Sequence, residues 1–277
     1  MTGPGNPSRR VAVLGGGVMG EAIVSAVLRA GVHVDDLDVS EPSAARATEI
    51  SERYGVRAAD GNAKVASRAD VVVVALKPKD IGGVLAEISP RLREGTVLVT
   101  VAAGLPIAFY EARLPAGTPV VRVMPNTPAV IGQGAGALSP GTSATSEHLT
   151  LVEELLAGTG LLVRVAEKDL DAVTAISGSG PAYVFYLVDA LAEAGVLLGL
   201  TRAQSLELAT ATFRGASALL AESGEHPVVL RERVSSPGGT TVAGLRELDA
   251  HGVRAAVLAA AEAARDRSRE LADELGR

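Results

Sequence analysis

Two glycine-rich segments, far apart in the chain, carry the residue types that could do chemistry. Gly15-Gly16-Gly17-Val18-Met19-Gly20 has the Gly-x-Gly-x-x-Gly spacing of a dinucleotide turn. Ser235-Ser236-Pro237-Gly238-Gly239-Thr240-Thr241 leads into an amphipathic stretch, residues 242–248, that predicts a helix. A glycine turn at a helix start leaves backbone N–H groups unpaired at the positive end of the helix dipole, which suits an anion. At the second segment Ser236, Thr240 and Thr241 add hydroxyl donors to the amides around Gly238 and Gly239. The pair predicts a two-reactant enzyme, with a nucleotide at the first turn and a small carboxylate at the second.

The first turn follows a short apolar run, Arg10–Leu14, and opens a stretch with helical periodicity at 21–30. In that setting Gly15 makes the tight bend, Gly17 lets the backbone approach a pyrophosphate, and Gly20 lets the helix pack on its strand. Val18 and Met19 stand at the helix start. The choice between NADH and NADPH falls on Asp38-Val39-Ser40-Glu41-Pro42-Ser43-Ala44-Ala45-Arg46 and stays open: Glu41 suits free ribose hydroxyls, whereas Ser40, Ser43 and Arg46 suit a 2′-phosphate. Three more segments fall at strand ends on the rim of the expected crevice: Ala75-Leu76-Lys77-Pro78, Val101-Ala102-Ala103-Gly104 and Met124-Pro125-Asn126-Thr127-Pro128. Lys77 reads equally as a contact to the cofactor or as a solvated charge. Asn126, stiffened by two prolines, reads as an amide held near a nicotinamide or as a plain turn residue.

These segments need elements to hold them. Strands are predicted at 10–14, 32–39, 71–76, 97–101 and 120–124, with a further one at 161–165. Helices are predicted at 43–54, 63–67, 81–88, 107–111 and 147–156. The run Val71–Leu76, almost all valine, suits a strand covered on both faces of a parallel sheet, and the alternation of strand and helix predicts a doubly wound sheet. Beyond residue 165 the chain turns to alanine- and leucine-rich helices at 181–198, 202–223, 228–234, 241–250 and 254–275. Helices apolar on most sides need more cover than a small bundle offers, which predicts an intertwined dimer. The expected organisation is a loose tail at 1–8, a dinucleotide-binding domain at 9–165 and a helical domain at 166–277.

Composition narrows the class. The 277 residues are 47% hydrophobic, carry a net charge of −6 and include no cysteine, so disulfides, thiolate chemistry and a zinc–thiolate site are excluded. His33, His148, His226 and His251 lack metal-ligand spacing, so no metal site is expected. The absence of a dense Lys/Arg cluster disfavours nucleic acid. No run of 18 apolar residues occurs, so no membrane-spanning helix is expected. Together with a tail lacking the features of a signal peptide, this suggests a cytoplasmic protein.

Taken together, Gly15–Gly20, Ala75–Pro78, Val101–Gly104, Met124–Pro128, Asp171–Tyr183 and Ser235–Thr241 make the chain resemble the delta-1-pyrroline-5-carboxylate reductases from about Arg10 to the last helix; the last two segments are the specific ones. The resemblance implies an N-terminal Rossmann-type doubly wound α/β sheet followed by an all-α helical dimerisation domain. It implies reduction of 1-pyrroline-5-carboxylate to L-proline by NADPH or NADH, and a homo-oligomer that is a dimer and, in many members, a decamer. By residue matching it places Asn62, Lys77, Ala102 and Asn126 at the cofactor. It places Ser236, Gly239, Thr240 and Thr241 at the substrate, with Thr241 bonded to the ring nitrogen. Glu41 and Arg233 depart from some members. Ser177-Gly178-Ser179-Gly180-Pro181 reads as a loop opening the next helix, either as the floor of the site or as a cap. The alternatives are a related imine reductase and a β-hydroxyacid dehydrogenase; the latter needs a lysine on the helix after Gly180, and 181–200 contains none.

Overall fold

The computed structural model describes residues 9–275, so the tail expected at 1–8 lies outside the described residues. Eight strands form one sheet: β1 (Val11–Leu14), β2 (Leu37–Ser40), β3 (Arg57–Ala59), β4 (Val71–Val74), β5 (Val97–Thr100), β6 (Val120–Met124), β7 (Gly134–Pro140) and β8 (Gly160–Arg164). Their order is β3-β2-β1-β4-β5-β6-β7-β8. Neighbouring strands are parallel except β6 and β7, which pair antiparallel with Val121 opposite Pro140. Between β1 and β4 the chain changes direction across the sheet, which is where an open α/β sheet leaves its crevice.

Helices α1 (Val18–Arg29), α2 (Ala44–Tyr54), α3 (Asn62–Ala66), α4 (Pro78–Ile88), α5 (Ile107–Glu111) and α6 (Ser146–Leu156) cover both faces. The valines of β4 show why. Val71 and Val73 join one apolar cluster with residues of α1, α2 and α6; Val72 and Val74 join the other with residues of α4 and α5. Each buried valine contributes roughly 1.5–3 kcal/mol, so a strand apolar on alternate and intervening positions is stable only between two layers.

Three parts differ from expectation. The segment expected as a strand at 32–39 begins as a tight turn at Val34–Asp36, with His33 Nδ1 accepting from Asp35 N at 3.3 Å, so β2 starts only at Leu37. Strand β3 carries one charged residue and two alanines, too weak a pattern to predict. Strand β7 is glycine-rich because its neighbours come close. A Cβ on Gly134 would lie 2.7 Å from the Thr159 carbonyl, and one on Gly136 2.5 Å from the Met124 carbonyl. Glycine is depleted in strands, which hid this one.

The remaining helices are α7 (Leu170–Val173), α8 (Gly180–Leu197), α9 (Arg202–Ser223), α10 (Pro227–Arg233), α11 (Thr240–Ala250) and α12 (Val253–Leu275). The described chain divides into two compact units: the sheet unit, running to Ser179 and including residues from Ala264 onward, and a helical unit, Gly180–Ala263. This division falls later than residue 165 because 166–179 and the end of α12 pack within the sheet unit; Ser268 Oγ, for example, donates to Asp171 Oδ1 at 2.8 Å. Within the helical unit α8 and α9 approach closely at Gly195, where a Cβ would lie 2.5 Å from Ser205 Oγ. Within the helical run Glu167–Leu197 one 18-residue window reaches a mean hydropathy of 1.2, so by length and composition alone this run is apolar enough to cross a membrane although polar residues interrupt it.

Candidate functional site

The sheet unit brings five loops to the carboxyl ends of its central strands. After β1, Gly15 sits at φ +101, and a Cβ there would lie 2.6 Å from the Ala75 carbonyl. A Cβ on Gly20 would collide with the Gly15 carbonyl. Gly17 is different: nothing lies within 4 Å of its would-be Cβ, and it begins α1 with no side-chain cap. The start of α1 therefore has no side-chain cap and has open space beside Gly17, which fits a dinucleotide pyrophosphate. Val18 is exposed beside them, and Met19 is half-buried.

The loop after β2 is tied to this turn. Glu41 Oε2 accepts from Gly16 N at 2.8 Å and Oε1 from Ser43 N at 2.9 Å. Arg46 Nε donates to the Gly16 carbonyl at 2.7 Å; its terminal nitrogens pair with Glu21 and, at 2.7 Å, with Glu49. Hydrogen bonds to Glu49 and then Glu21 raise the Arg46 guanidinium above its ordinary range. Burial pushes Glu21 upward, but hydrogen bonds from Arg46 and Tyr54 and the charges of Arg46 and Arg53 outweigh it and hold the carboxylate below its usual range. Ser40 is buried, and its hydroxyl donates to Asn62 Oδ1 at 2.8 Å; the Asn62 amide in turn donates to Glu87 at 3.0 Å. Apart from the local Glu41–Ser43 and Arg46–Glu49 contacts, none of these ties was legible beforehand, since the others join residues more than 20 positions apart.

After β4, Ala75 and Pro78 are half-buried, whereas Lys77 is an exposed charge preceding α4. After β5, Ala102 is buried and Ala103 exposed, with Ala102 N donating to Thr100 Oγ1 at 3.3 Å. After β6, Asn126 is buried and both ends of its amide are committed: Nδ2 donates to the Ser177 carbonyl at 2.9 Å and Oδ1 accepts from Ala135 N at 2.9 Å.

That bond explains a correction. Residues 177–181 do not form a loop. Thr174–Gly178 is a widened helical turn, with Ser179 N donating to the Thr174 carbonyl at 2.7 Å, and it runs on into α8. Pro181 has no N–H to give the Ser177 carbonyl four residues earlier, and Asn126 supplies the missing donor. Widened turns of this kind often mark functional positions. Also within the sheet unit, a cavity of about 380 Å³ is lined by Pro78, Gly104, Thr174 and Ser179 together with Arg267 and Ser268 of α12. Nothing in the spacing of residues 267–268 signals that they reach this rim.

In the helical unit, the second glycine segment has the predicted form. Gly238 sits at φ +70, Gly239 N donates to the Ser236 carbonyl at 3.0 Å, and Gly239 begins α11 with no side-chain cap. The first-turn amides of α11, including those of Thr240 and Thr241, are left to another partner. Nearby, Arg233 is neutralised by both carboxylate oxygens of Glu225, one of them at 2.7 Å.

A glycine-turn crevice at the switch point of a doubly wound sheet, joined in sequence to a helical unit with an anion-ready turn, defines a dinucleotide-dependent oxidoreductase. Two family models match: "NADP oxidoreductase coenzyme F420-dependent" over residues 10–104 and "Pyrroline-5-carboxylate reductase dimerisation" over 167–271. The pyrroline-5-carboxylate reductase of Corynebacterium melassecola is 47% identical over 264 residues, 94% of this chain and 98% of that protein. The solved pyrroline-5-carboxylate reductase of Coxiella burnetii superposes with a TM-score of 0.91 at 32% identity, covering 96% of this chain and 99% of the other. That of Plasmodium falciparum, solved with NADP bound, gives 0.85 at 30% identity, covering 97% and 100%. The chain belongs to the pyrroline-5-carboxylate reductase family.

Proposed function

We propose that this protein reduces 1-pyrroline-5-carboxylate to L-proline with NADPH or NADH, the last step of proline biosynthesis. The observation that carries the proposal is the 47% identity to a reductase of that name along nearly the full length of both chains. The glycine turn with open space at Gly17 fits the cofactor. When bound, the reduced nicotinamide supplies a hydride to the imine carbon.

The chain's own residues bind and orient. On this proposal Gly15, Gly17 and Gly20 shape the pyrophosphate turn, with Val18 and Met19 beside it, while Ser40, Glu41, Arg46 and Asn62 form the ribose side. Ala75, Lys77, Pro78, Ala102, Ala103 and the backbone at Asn126 line the nicotinamide side. Ser236, Gly238, Gly239, Thr240 and Thr241 hold the substrate carboxylate through backbone amides and hydroxyls. Thr241 Oγ1 contacts the ring nitrogen, which carries its proton as an iminium before the carbon is reduced. Most of the rate then comes from alignment rather than from a strong general acid.

The functional division we propose places cofactor binding in 9–165 and substrate binding with dimerisation in 166–277, in a cytoplasmic dimer that associates further into a decamer. Steady-state assays of the purified protein with pyrroline-5-carboxylate and each cofactor test the activity. One L-proline should form per cofactor oxidised, and failure to oxidise either cofactor in the presence of the imine would overturn the proposal.

A further inference from the structure

The turn after β2 sorts its groups into those already committed and one still able to accept. Three of them have the chemistry to hold a 2′-phosphate, and two of these, Ser40 and Arg46, already donate within the protein. Ser40 is buried and donates its hydroxyl to Asn62. The Ser43 hydroxyl caps α2, accepting from Arg46 N at 3.4 Å, which ties its oxygen to the helix start and leaves its O–H as the one uncommitted donor of the three. Arg46, the single cation between residues 40 and 46, is shared among the Gly16 carbonyl, Glu21 and Glu49.

Glu41 is the fourth group. A carboxylate offers about four acceptor positions and no donor. Gly16 N and Ser43 N occupy one on each oxygen, leaving one on each free. Both anchors are backbone N–H groups, and Gly16 is buried, so swinging the carboxylate away would leave a buried donor unpaired. Gly16 is itself held at both of its backbone groups, its N–H by Glu41 and its carbonyl by Arg46. The carboxylate is therefore built into the phosphate turn. It stands about 20 residues beyond the last glycine of that turn, where dinucleotide folds place the acceptor for ribose hydroxyls.

We propose that Glu41 makes this chain selective for NADH over NADPH. Its two free acceptor positions suit a ribose hydroxyl. A 2′-phosphate would bring about −1.5 to −2 of charge against a fixed carboxylate, by analogy with other phosphomonoesters, while Arg46 stays paired with Glu21 and Glu49. This inference rests on the reductase function proposed above and deepens it.

Calorimetric titration of the purified protein with NADH and with NADPH, without imine, tests it. NADH should bind at least about tenfold more tightly, a difference of about 1.4 kcal/mol. In both Glu41→Ser and the isosteric Glu41→Gln the preference should fall about tenfold or more, through weaker NADH and stronger NADPH binding; the second variant guards against misfolding of the first. Equal or tighter binding of NADPH by the unaltered protein overturns the inference and leaves the reductase function standing. An unchanged preference in both variants overturns the role of Glu41. Binding of neither nucleotide overturns the reductase function itself.

Discussion

The two compact units solve burial in opposite ways. In the sheet unit nearly every residue of β1, β2, β4, β5 and β6 is buried, and side chains fill both faces. In the helical unit only Ala192, Ser205 and Ala209 are buried, while Phe185, Tyr186, Leu197, Leu198, Leu208 and Leu258 are among many large apolar residues left exposed. Such an apolar surface on a single chain marks an interaction face, and the dimerisation model covers this stretch. One unit buries a core within a single chain. The other is completed by a partner, so substitutions of the same type should have different consequences in each.

The largest effect is expected where that difference is greatest. Replacing Phe185 and Tyr186 together with glutamate should weaken association by about 3 kcal/mol or more, roughly a hundredfold. Light scattering should then report a particle near 28.1 kDa. On an ordinary solvent face the same change would cost within about 0.5 kcal/mol, and an unaltered assembly would show the helical unit to be complete alone.

Glycines of the sheet unit sharpen the contrast between fold and site. Gly15→Ala meets both a positive φ and the Ala75 carbonyl, so it should cost about 1–3 kcal/mol in stability, measured by denaturant melting. Gly17→Leu meets open space; it should leave the melting midpoint nearly unchanged yet weaken dinucleotide binding about tenfold or more. Thr241→Ala, in the helical unit, should lower kcat/KM for the imine about 10- to 100-fold, or roughly 1.4–2.7 kcal/mol of transition-state stabilisation. Unchanged kinetics would remove Thr241 from the reacting centre.

The smallest effect concerns pH. Because the folded state holds Glu21 below its ordinary pKa, its contribution is present above the unfolded value near 4.5 and is lost as pH falls through the folded one. Glu21→Gln should therefore flatten the acid side of the stability profile while lowering stability near neutrality. An acid limb as steep as that of the unaltered protein would place the acid sensitivity elsewhere.

Much of this was legible from local pattern. The strand Val120–Met124 and the helices Ile107–Glu111 and Arg202–Ser223 occur with the bounds that periodicity and caps predict. The glycine turn after β1 was equally plain, because only glycine tolerates its geometry. Strand β7 was not: its glycines answer to the carbonyls of Thr159 and Met124, more than ten positions away, and no β-branched residue advertises it. Residues 177–181 read as a loop in the sequence, because Gly178, Gly180 and Pro181 act as breakers until Asn126 provides the donor that Pro181 lacks.

By itself the sequence determined the fold class, the two anion-ready turns and the family, since these rest on neighbours along the chain and on spacing within a few residues. Tertiary structure alone decided which polar groups remain free. Glu41 meets Gly16 across 25 positions, Asn126 meets Ser177 across 51, and Ser268 meets Asp171 across 97. Commitments over such distances depend on how the layers pack, and they separate a serine or arginine already engaged from a carboxylate still able to accept.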